Sequence, residues 1–391
     1  MRILKISDVY FPRVNGVSTS IRTFSEEFTR SGHEVTLIAP SYPVGEEDES
    51  GIIRIPSRYL PMDPEDRMMQ ASAIKRLVPE LKRRQFDIIH IHTPFVAHYL
   101  GLWLSRRLDI PVVESYHTYF EEYLDLYLRW LPRDLLRHVA RRFSRSQCNE
   151  VDVAIVPTRP MRDVLESYGV TGKMAIIPTG IPSKTFSDGQ GQWFREKYGI
   201  AASREVLLYV GRVAHEKNID FLIRVLAKVV IKRPDILLVI AGEGPARAAL
   251  IQQVRSAGLS DQVLFLGYLS RNHELANCYA AADIFVFASN TETQGLVLLE
   301  AMQTGTPVVT TAVMGTAEIM RDGRGGLIAR EDVDDFALKI DVVLSNESLR
   351  KRLMKEAHEK AQAWDAGVMA ERMLELYDLE RSTHSPRDQR Q

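Results

Sequence analysis

Thr291-Glu292-Thr293-Gln294-Gly295-Leu296-Val297-Leu298-Leu299-Glu300-Ala301-Met302 follows the apolar run Asp283-Ile284-Phe285-Val286-Phe287-Ala288 after only Ser289-Asn290. The run predicts a buried strand, and the apolar spacing after Gly295 predicts a helix. A strand that passes through a short loop into a helix is the repeating unit of a parallel α/β sheet. Glu292 then falls in the loop and Glu300 in the helix. Main-chain N–H groups at Gln294, Gly295, Leu296 and Val297 open that helix. They are unpaired donors at the positive end of its dipole, suited to a phosphate or a hydroxyl oxygen. A carboxylate accepts hydroxyl donors strongly because it is ionised. Such a loop suits a sugar joined to a phosphate. Taken by itself, a pair of glutamates at this spacing is more often part of a capped surface helix with ordinary glutamates.

Upstream, Val206-Leu207-Leu208-Tyr209-Val210 predicts another buried strand, followed by Gly211-Arg212-Val213-Ala214-His215-Glu216-Lys217-Asn218. Gly211 permits a tight exit from the strand. Arg212 is a fork-shaped cation and Lys217 a compact one, and together they suit a diphosphate whose leaving-group charge must be neutralised. The plainer alternative is a solvated basic loop.

The same alternation runs along the chain. Strands are expected near 2–7, 34–39, 86–91, 111–115, 152–156 and 174–177, then near 205–210, 236–241, 262–266, 283–288 and 306–310. Helical patterns intervene, among them Thr19 to Ser31 and Asp66 to Arg84. Strands alternating with helices imply right-handed crossovers and parallel sheets. Two such series predict two doubly wound domains, with ligands outside the carboxyl ends of the strands. Pro178-Thr179-Gly180-Ile181-Pro182 follows a strand without a helix and marks the boundary. The expected domains are 1–180 and 181–365. An amphipathic helix is expected near 366–380, and the polar residues 381–391 read as a disordered tail.

The 391 residues carry a net charge of −1, so no global field favours nucleic acid. Only Cys148 and Cys278 occur, which excludes a disulfide scaffold and a Cys-based zinc site. No run of 18 apolar residues exists. The N-terminus enters a strand almost at once, so a cytoplasmic location is expected, with peripheral contact on the inner membrane face.

Gly211-Arg212-x-x-x-Glu216-Lys217-Asn218, then Gly242-Glu243-Gly244-Pro245, then Glu292-x7-Glu300-Ala301-Met302, in that order, resemble the retaining glycosyltransferases of the GT-B fold, family four. The resemblance runs over nearly the whole chain. It implies two facing Rossmann-like domains, an N-terminal one binding acceptor and a C-terminal one binding nucleotide sugar. It also implies a ligand cleft between them and a last helix that crosses back to the first domain after Trp364-Asp365.

Residue by residue, the resemblance implies that the loop before Gly16 gives main-chain contacts to the donor. Asn15 stands where many members have a first glycine, and Ser18 or Thr19 is the expected helix cap. His117, in Glu114-Ser115-Tyr116-His117-Thr118, would touch the transferred sugar. Arg212 and Lys217 would neutralise the diphosphate, with Gln294, Gly295 and Leu296 supplying main-chain donors. Glu292 would hold a sugar hydroxyl and Glu300 the ribose hydroxyls. Lys217 and Glu300 are both expected on loops or helix starts outside the apolar core, so that alanine replacements leave the fold intact. His92, in His90-Ile91-His92-Thr93, also ends a strand and lines the cleft or caps a turn.

From Arg129 the arginines recur every four residues, and Arg133, Arg137, Arg141 and Arg145 make one stripe, opposed by Leu135, Val139 and Phe143. This helix either lies on an anionic membrane or packs its apolar stripe on the sheet beneath a solvated basic face.

The Thr291-to-Gly295 wording and the Ser115-to-Thr118 segment resemble the lipid branch of the family, which includes diacylglycerol glucosyltransferases. UDP-glucose and a membrane glycerolipid are therefore the expected donor and acceptor. The alternatives are GDP-mannose-dependent mannosyl transfer to a lipid or polysaccharide, and a non-catalytic sugar-nucleotide-binding protein. A phosphorylase would need a cofactor lysine site that the sequence does not display. No Asp-x-Asp element stands at the end of an expected strand, so neither metal nor cofactor is expected.

Overall fold

The computed structural model describes residues 1–43, 50–60, 63–117, 132–186, 189–270 and 274–384. Thr118, Arg129 and residues 385–391, named above, lie outside the described residues. The contacts divide the chain into two units, Met1–Gly180 with Ala366–Gln391, and Ile181–Asp365.

In the first unit the strands are β1 (Arg2–Ile6), β2 (Glu34–Pro40), β3 (Ile52–Ile55), β4 (Ser57–Leu60), β5 (Asp63–Met69), β6 (Ile88–Ile91), β7 (Val112–Ser115), β8 (Val153–Val156) and β9 (Met174–Ile176). Seven of them form one parallel sheet in the order β3-β2-β1-β6-β7-β8-β9. Central strands of such a sheet are covered on both faces, which is why they read as unbroken apolar runs. Lys5 breaks the run in β1. It lies fully buried, donating to Ile21 O at 3.2 Å and Ser25 Oγ at 3.0 Å, with its ammonium 4.8 Å from the Phe28 ring centre.

The expected helix over Asp66 to Arg84 is shorter than the pattern suggested. Asp66–Met69 belong to β5, which pairs antiparallel with β4, and the helix runs Ala71–Arg84. The partner strand decided the matter, with Ser57 opposite Met69 and Arg58 opposite Met68.

The second unit contains β10 (Val206–Val210), β11 (Leu237–Ala241), β12 (Val263–Gly267), β13 (Ile284–Phe287), β14 (Val308–Thr310) and β15 (Gly326–Ile328). They form a parallel sheet in the order β12-β11-β10-β13-β14-β15. Each sheet thus reverses strand order once, between β1 and β6 in the first and between β10 and β13 in the second. Both units are Rossmann-like, as expected. Such reversals open a crevice at the carboxyl ends of the flanking strands.

The helix Ala366–Thr383 returns to the first unit. Met369, Ala370, Met373 and Tyr377 enter a core with Ile3, Phe24, Phe28 and Ile88. It continues past residue 380 because Arg381 pairs with Asp87 at 3.3 Å and Asp378 at 3.0 Å. At the unit boundary, Ile181 N donates to Trp364 O at 2.8 Å, so the two strands of chain that cross there are held together.

Candidate active site

The loops that follow β10 and β13 lie at the strand reversal of the second sheet, and they are stitched together by side chains. Lys217 Nζ donates to Glu292 Oε1. Ser289 Oγ donates to Glu216 O at 3.4 Å and Asn218 Nδ2 to Ala288 O at 3.3 Å. Arg212 lies 3.9 Å from Glu216 in the same loop. Two sequence motifs 75 residues apart therefore place a cation and a carboxylate in one small region.

The glycines explain how close the backbones come. Gly211 leaves β10 at φ 151°, and its main chain packs against Gly242, where a Cβ would stand 1.9 Å from Gly211 O. A Cβ on Gly244 would stand 2.4 Å from Val213 O. Val213 N donates to Glu243 O at 2.8 Å and Ala246 N to Val213 O at 3.0 Å. The Gly242-to-Pro245 motif thus braces the loop that carries Arg212.

Gly295, at φ 86°, starts the helix Leu296–Gln303, and no side chain caps it. Gln294, just before this helix start, is buried. The loop is supported from behind by Gly315, whose N donates to Glu292 O at 2.8 Å. A Cβ on Gly315 would come within 2.5 Å of Gln294. Ala312 and Met314 adopt φ of 52° and 53° in the same support, a strained choice for residues with side chains. Nothing in the sequence pattern signalled that strain.

Glu300 corrects an expectation. It is 2 % exposed, surrounded by Leu298, Leu299, Ala301 and Met302, all without exposure, and it accepts from Tyr279 Oη at 2.9 Å. A helix apolar on all sides is a buried helix, so its glutamate is carried inward.

In the first unit, Gly16 begins the helix Gly16–Arg30, and Asn15 is its cap, accepting from Ser18 N at 2.8 Å. Ser18 and Thr19, the expected caps, are buried within the helix. A Cβ on Gly16 would meet nothing within 4 Å, so packing inside the protein does not require glycine there.

His117 lies just beyond β7, at the end of a row of imidazoles. His92 Nδ1 is 3.4 Å from His117 Nε2, and the His90 and His92 ring centres are 4.0 Å apart. His90 in turn meets Tyr377 Oη at 2.5 Å and Ser115 Oγ at 2.8 Å. Burial and the Lys5 ammonium push His117 down to about 4. Burial first, then neighbouring cations and imidazoles, drives His90 and His92 well below the usual histidine range. His117 is therefore a neutral hydrogen-bonding ring at neutral pH. A second buried pair was not legible from sequence. His98 Nδ1 contacts Glu114 Oε2 at 2.7 Å, and Glu150 lies 3.5 Å from Nε2.

The basic helix spans Arg133–Glu150. Leu136, Ala140, Ser144, Gln147 and Cys148 form its buried face. Leu135 and Val139, 51 % and 49 % exposed, stand on the solvent side with Arg141, Arg142 and Arg145. Leu135 and Val139 of the apolar stripe thus stay exposed, while Phe143, its third member, is half-buried. Arg137 is half-buried, and Arg141 lies 5.5 Å from the Tyr168 ring centre. Among the described residues no helix is long and apolar enough to cross a membrane.

The family models for "Glycosyltransferase Family 4" and "Glycosyl transferases group 1" match residues 14–184 and 192–360. The α-monoglucosyldiacylglycerol synthase of Streptococcus pneumoniae is 35 % identical over 318 residues, 79 % of this chain and 70 % of that protein. The synthase of the same name from Acholeplasma laidlawii is 28 % identical over 386 residues, 96 % of each chain. The crystal structure of Anabaena HepE in complex with UDP-glucose superposes with a TM-score of 0.77 at 18 % identity, covering 97 % of this chain and 100 % of that one. The chain is a glycosyltransferase of the GT-B fold and belongs to glycosyltransferase family 4.

Proposed function

We propose that this glycosyltransferase moves glucose from UDP-glucose to a hydroxyl of a membrane glycerolipid with retention of anomeric configuration. The observation that carries the reading is the joining of Lys217 to Glu292 at the strand reversal of the second sheet. A nucleotide sugar needs a cation for its diphosphate and an acceptor for its sugar hydroxyls within a few ångströms. These two loops supply both.

In this reading Arg212, Lys217 and the uncapped N–H groups at Leu296 hold the diphosphate. They stabilise its charge as the bond from the anomeric carbon to the phosphate oxygen breaks. Glu292 holds a sugar hydroxyl, and Glu300 takes the ribose hydroxyls with the carboxylate that Tyr279 already orients. His117 contacts the transferred sugar. The open space at Gly16 leaves room for main-chain contact with the donor. The acceptor oxygen bonds the anomeric carbon on the face the phosphate leaves, and its proton passes to that phosphate oxygen. Cationic side chains do the work a divalent ion does elsewhere. Turnover is accordingly expected to survive EDTA.

The glycerolipid acceptor is supported by the likeness to the two glucosyldiacylglycerol synthases and by the solvent face of Arg133–Glu150. Leu135 and Val139 beside exposed arginines form an amphipathic surface that suits an anionic bilayer. The reading places the protein on the inner membrane face, in peripheral contact.

A nucleotide-release screen tests it, with UDP-glucose and GDP-mannose as donors and diacylglycerol vesicles and free sugars as acceptors. Release of UDP only with the vesicles is the expected result. Release of GDP from GDP-mannose in its place, or release that favours free sugars, would redirect the assignment.

A further inference from the structure

Glu331 stands beyond the end of β15, well outside the motifs discussed so far. Its backbone is pinned on both sides. Ala329 N donates to Thr310 O at 2.9 Å, and Arg330 N to Asp335 Oδ2 at 2.8 Å. Asp332 caps the helix Val333–Ser345 by accepting from Asp335 N at 2.9 Å. From this fixed base the side chain reaches two asparagines. Asn218 Nδ2 donates to Glu331 Oε1 at 2.7 Å, and Asn290 Nδ2 donates to Oε2 at 3.3 Å.

Those asparagines are not incidental. Asn218 directly follows Lys217 and sits at φ 55°, the turn between the short 3-10 helix His215–Lys217 and the helix Ile219–Val230. Asn290 lies two residues before Glu292. One carboxylate therefore grips both loops of the proposed donor site, one oxygen to each. The other stitches are weaker or conditional. Ser289 to Glu216 and Asn218 to Ala288 are neutral contacts at 3.4 and 3.3 Å, whereas the two bonds to Glu331, at 2.7 and 3.3 Å, both end on a carboxylate. The Lys217–Glu292 pair loosens once Lys217 turns to a phosphate.

We propose that Glu331 is a positioning residue whose carboxylate, through Asn218 and Asn290, keeps Lys217 and Glu292 at the spacing a nucleotide sugar requires. The inference rests on the proposed use of those two residues toward the donor. An ionised carboxylate suits the task because it can accept from two amides at once, and each bond is charge-assisted.

The test uses the full chain with UDP-glucose and diacylglycerol vesicles, reading kcat, donor KM and melting temperature. Glu331→Ala should lower kcat/KM for the donor about tenfold, the scale of one or two lost charge-assisted bonds. The melting temperature should stay within about 2 °C, because the carboxylate is exposed and fills no core. Glu331→Gln should fall between, since an amide oxygen accepts from one asparagine while its NH2 opposes the other. In a Lys217→Ala background, Glu331→Ala should add less than about twofold, because one of the two groups whose spacing it holds is gone. A kcat/KM within twofold of wild type overturns the proposal. So does an undiminished effect in the Lys217→Ala background, or a melting temperature that falls in step with turnover. Wild-type turnover in Lys217→Ala alone would instead remove the reading of the donor site on which the clamp depends.

Discussion

Lys217 and Glu292 neutralise each other across the mouths of β10 and β13, with side chains 18 % and 20 % exposed. A diphosphate offers Lys217 a second anion, and a sugar hydroxyl offers Glu292 a donor, so the bound ligand competes with the pair. Glu292→Gln should then separate binding from transfer. Affinity for UDP should hold or rise, because Lys217 no longer shares its charge. Turnover should fall about tenfold to a hundredfold, the scale of one charged contact. Calorimetry with UDP and a nucleotide-release assay check the two halves. A fall in UDP affinity that matches the fall in turnover would show that the pair acts on one ligand group.

Glu300 needs a more careful replacement than its loop neighbours. Glu300→Ala removes buried methylenes and leaves Tyr279 Oη without this acceptor. The expected loss of stability is about 2–4 kcal/mol. Glu300→Gln keeps an oxygen for Tyr279 and should fold normally while losing turnover. Thermal melting and kinetics of the two variants check this. A Glu300→Gln protein with wild-type rates would make Glu300 a core residue only.

The imidazole row sets a pH dependence of stability. His117 titrates near 4 in the fold and near the ordinary histidine value when unfolded. A histidine with a lowered folded pKa favours the native state above its unfolded pKa. That contribution is lost as pH falls from about 6.5 to about 4. His90 and His92 shift in the same direction. Melting temperature should therefore drop across this window, and His117→Asn should flatten the drop. An unchanged pH profile in His117→Asn would contradict the assignment.

The solvent face of Arg133–Glu150 makes a membrane prediction. Each basic residue near an anionic surface contributes on the order of 1 kcal/mol. Arg141→Glu with Arg145→Glu should release the protein from phosphatidylglycerol vesicles, most clearly at low salt. Sedimentation decides it. Wild-type protein that stays in the supernatant at low salt would leave the stripe as a solvated face.

The pattern of legibility has physical causes. Parallel strands buried on both faces are continuous apolar runs, so β10 and β13 could be read directly, and with them the loops carrying Lys217 and Glu292. β15 starts inside the glycine-rich Gly323-Arg324-Gly325-Gly326, which reads as a turn, so no apolar run marked it, and with it went Glu331. β5 contains Asp63-Pro64-Glu65-Asp66, which no apolar rule marks as a strand; its pairing with β4 makes it one. The inward turn of Glu300 was visible in principle, since Leu298, Leu299, Ala301 and Met302 leave no polar side to that helix. The clustering of His90, His92 and His117 depends on β6 and β7 being neighbours, an order that only the assembled sheet reveals.

The most direct measurement is transfer of radiolabelled glucose from UDP-glucose to diacylglycerol vesicles by wild type and Lys217→Ala side by side. The account predicts label in the lipid phase for the wild type and a loss of about tenfold or more in the variant, in the presence of EDTA. No lipid label from the wild type, or equal label from both proteins, would contradict it.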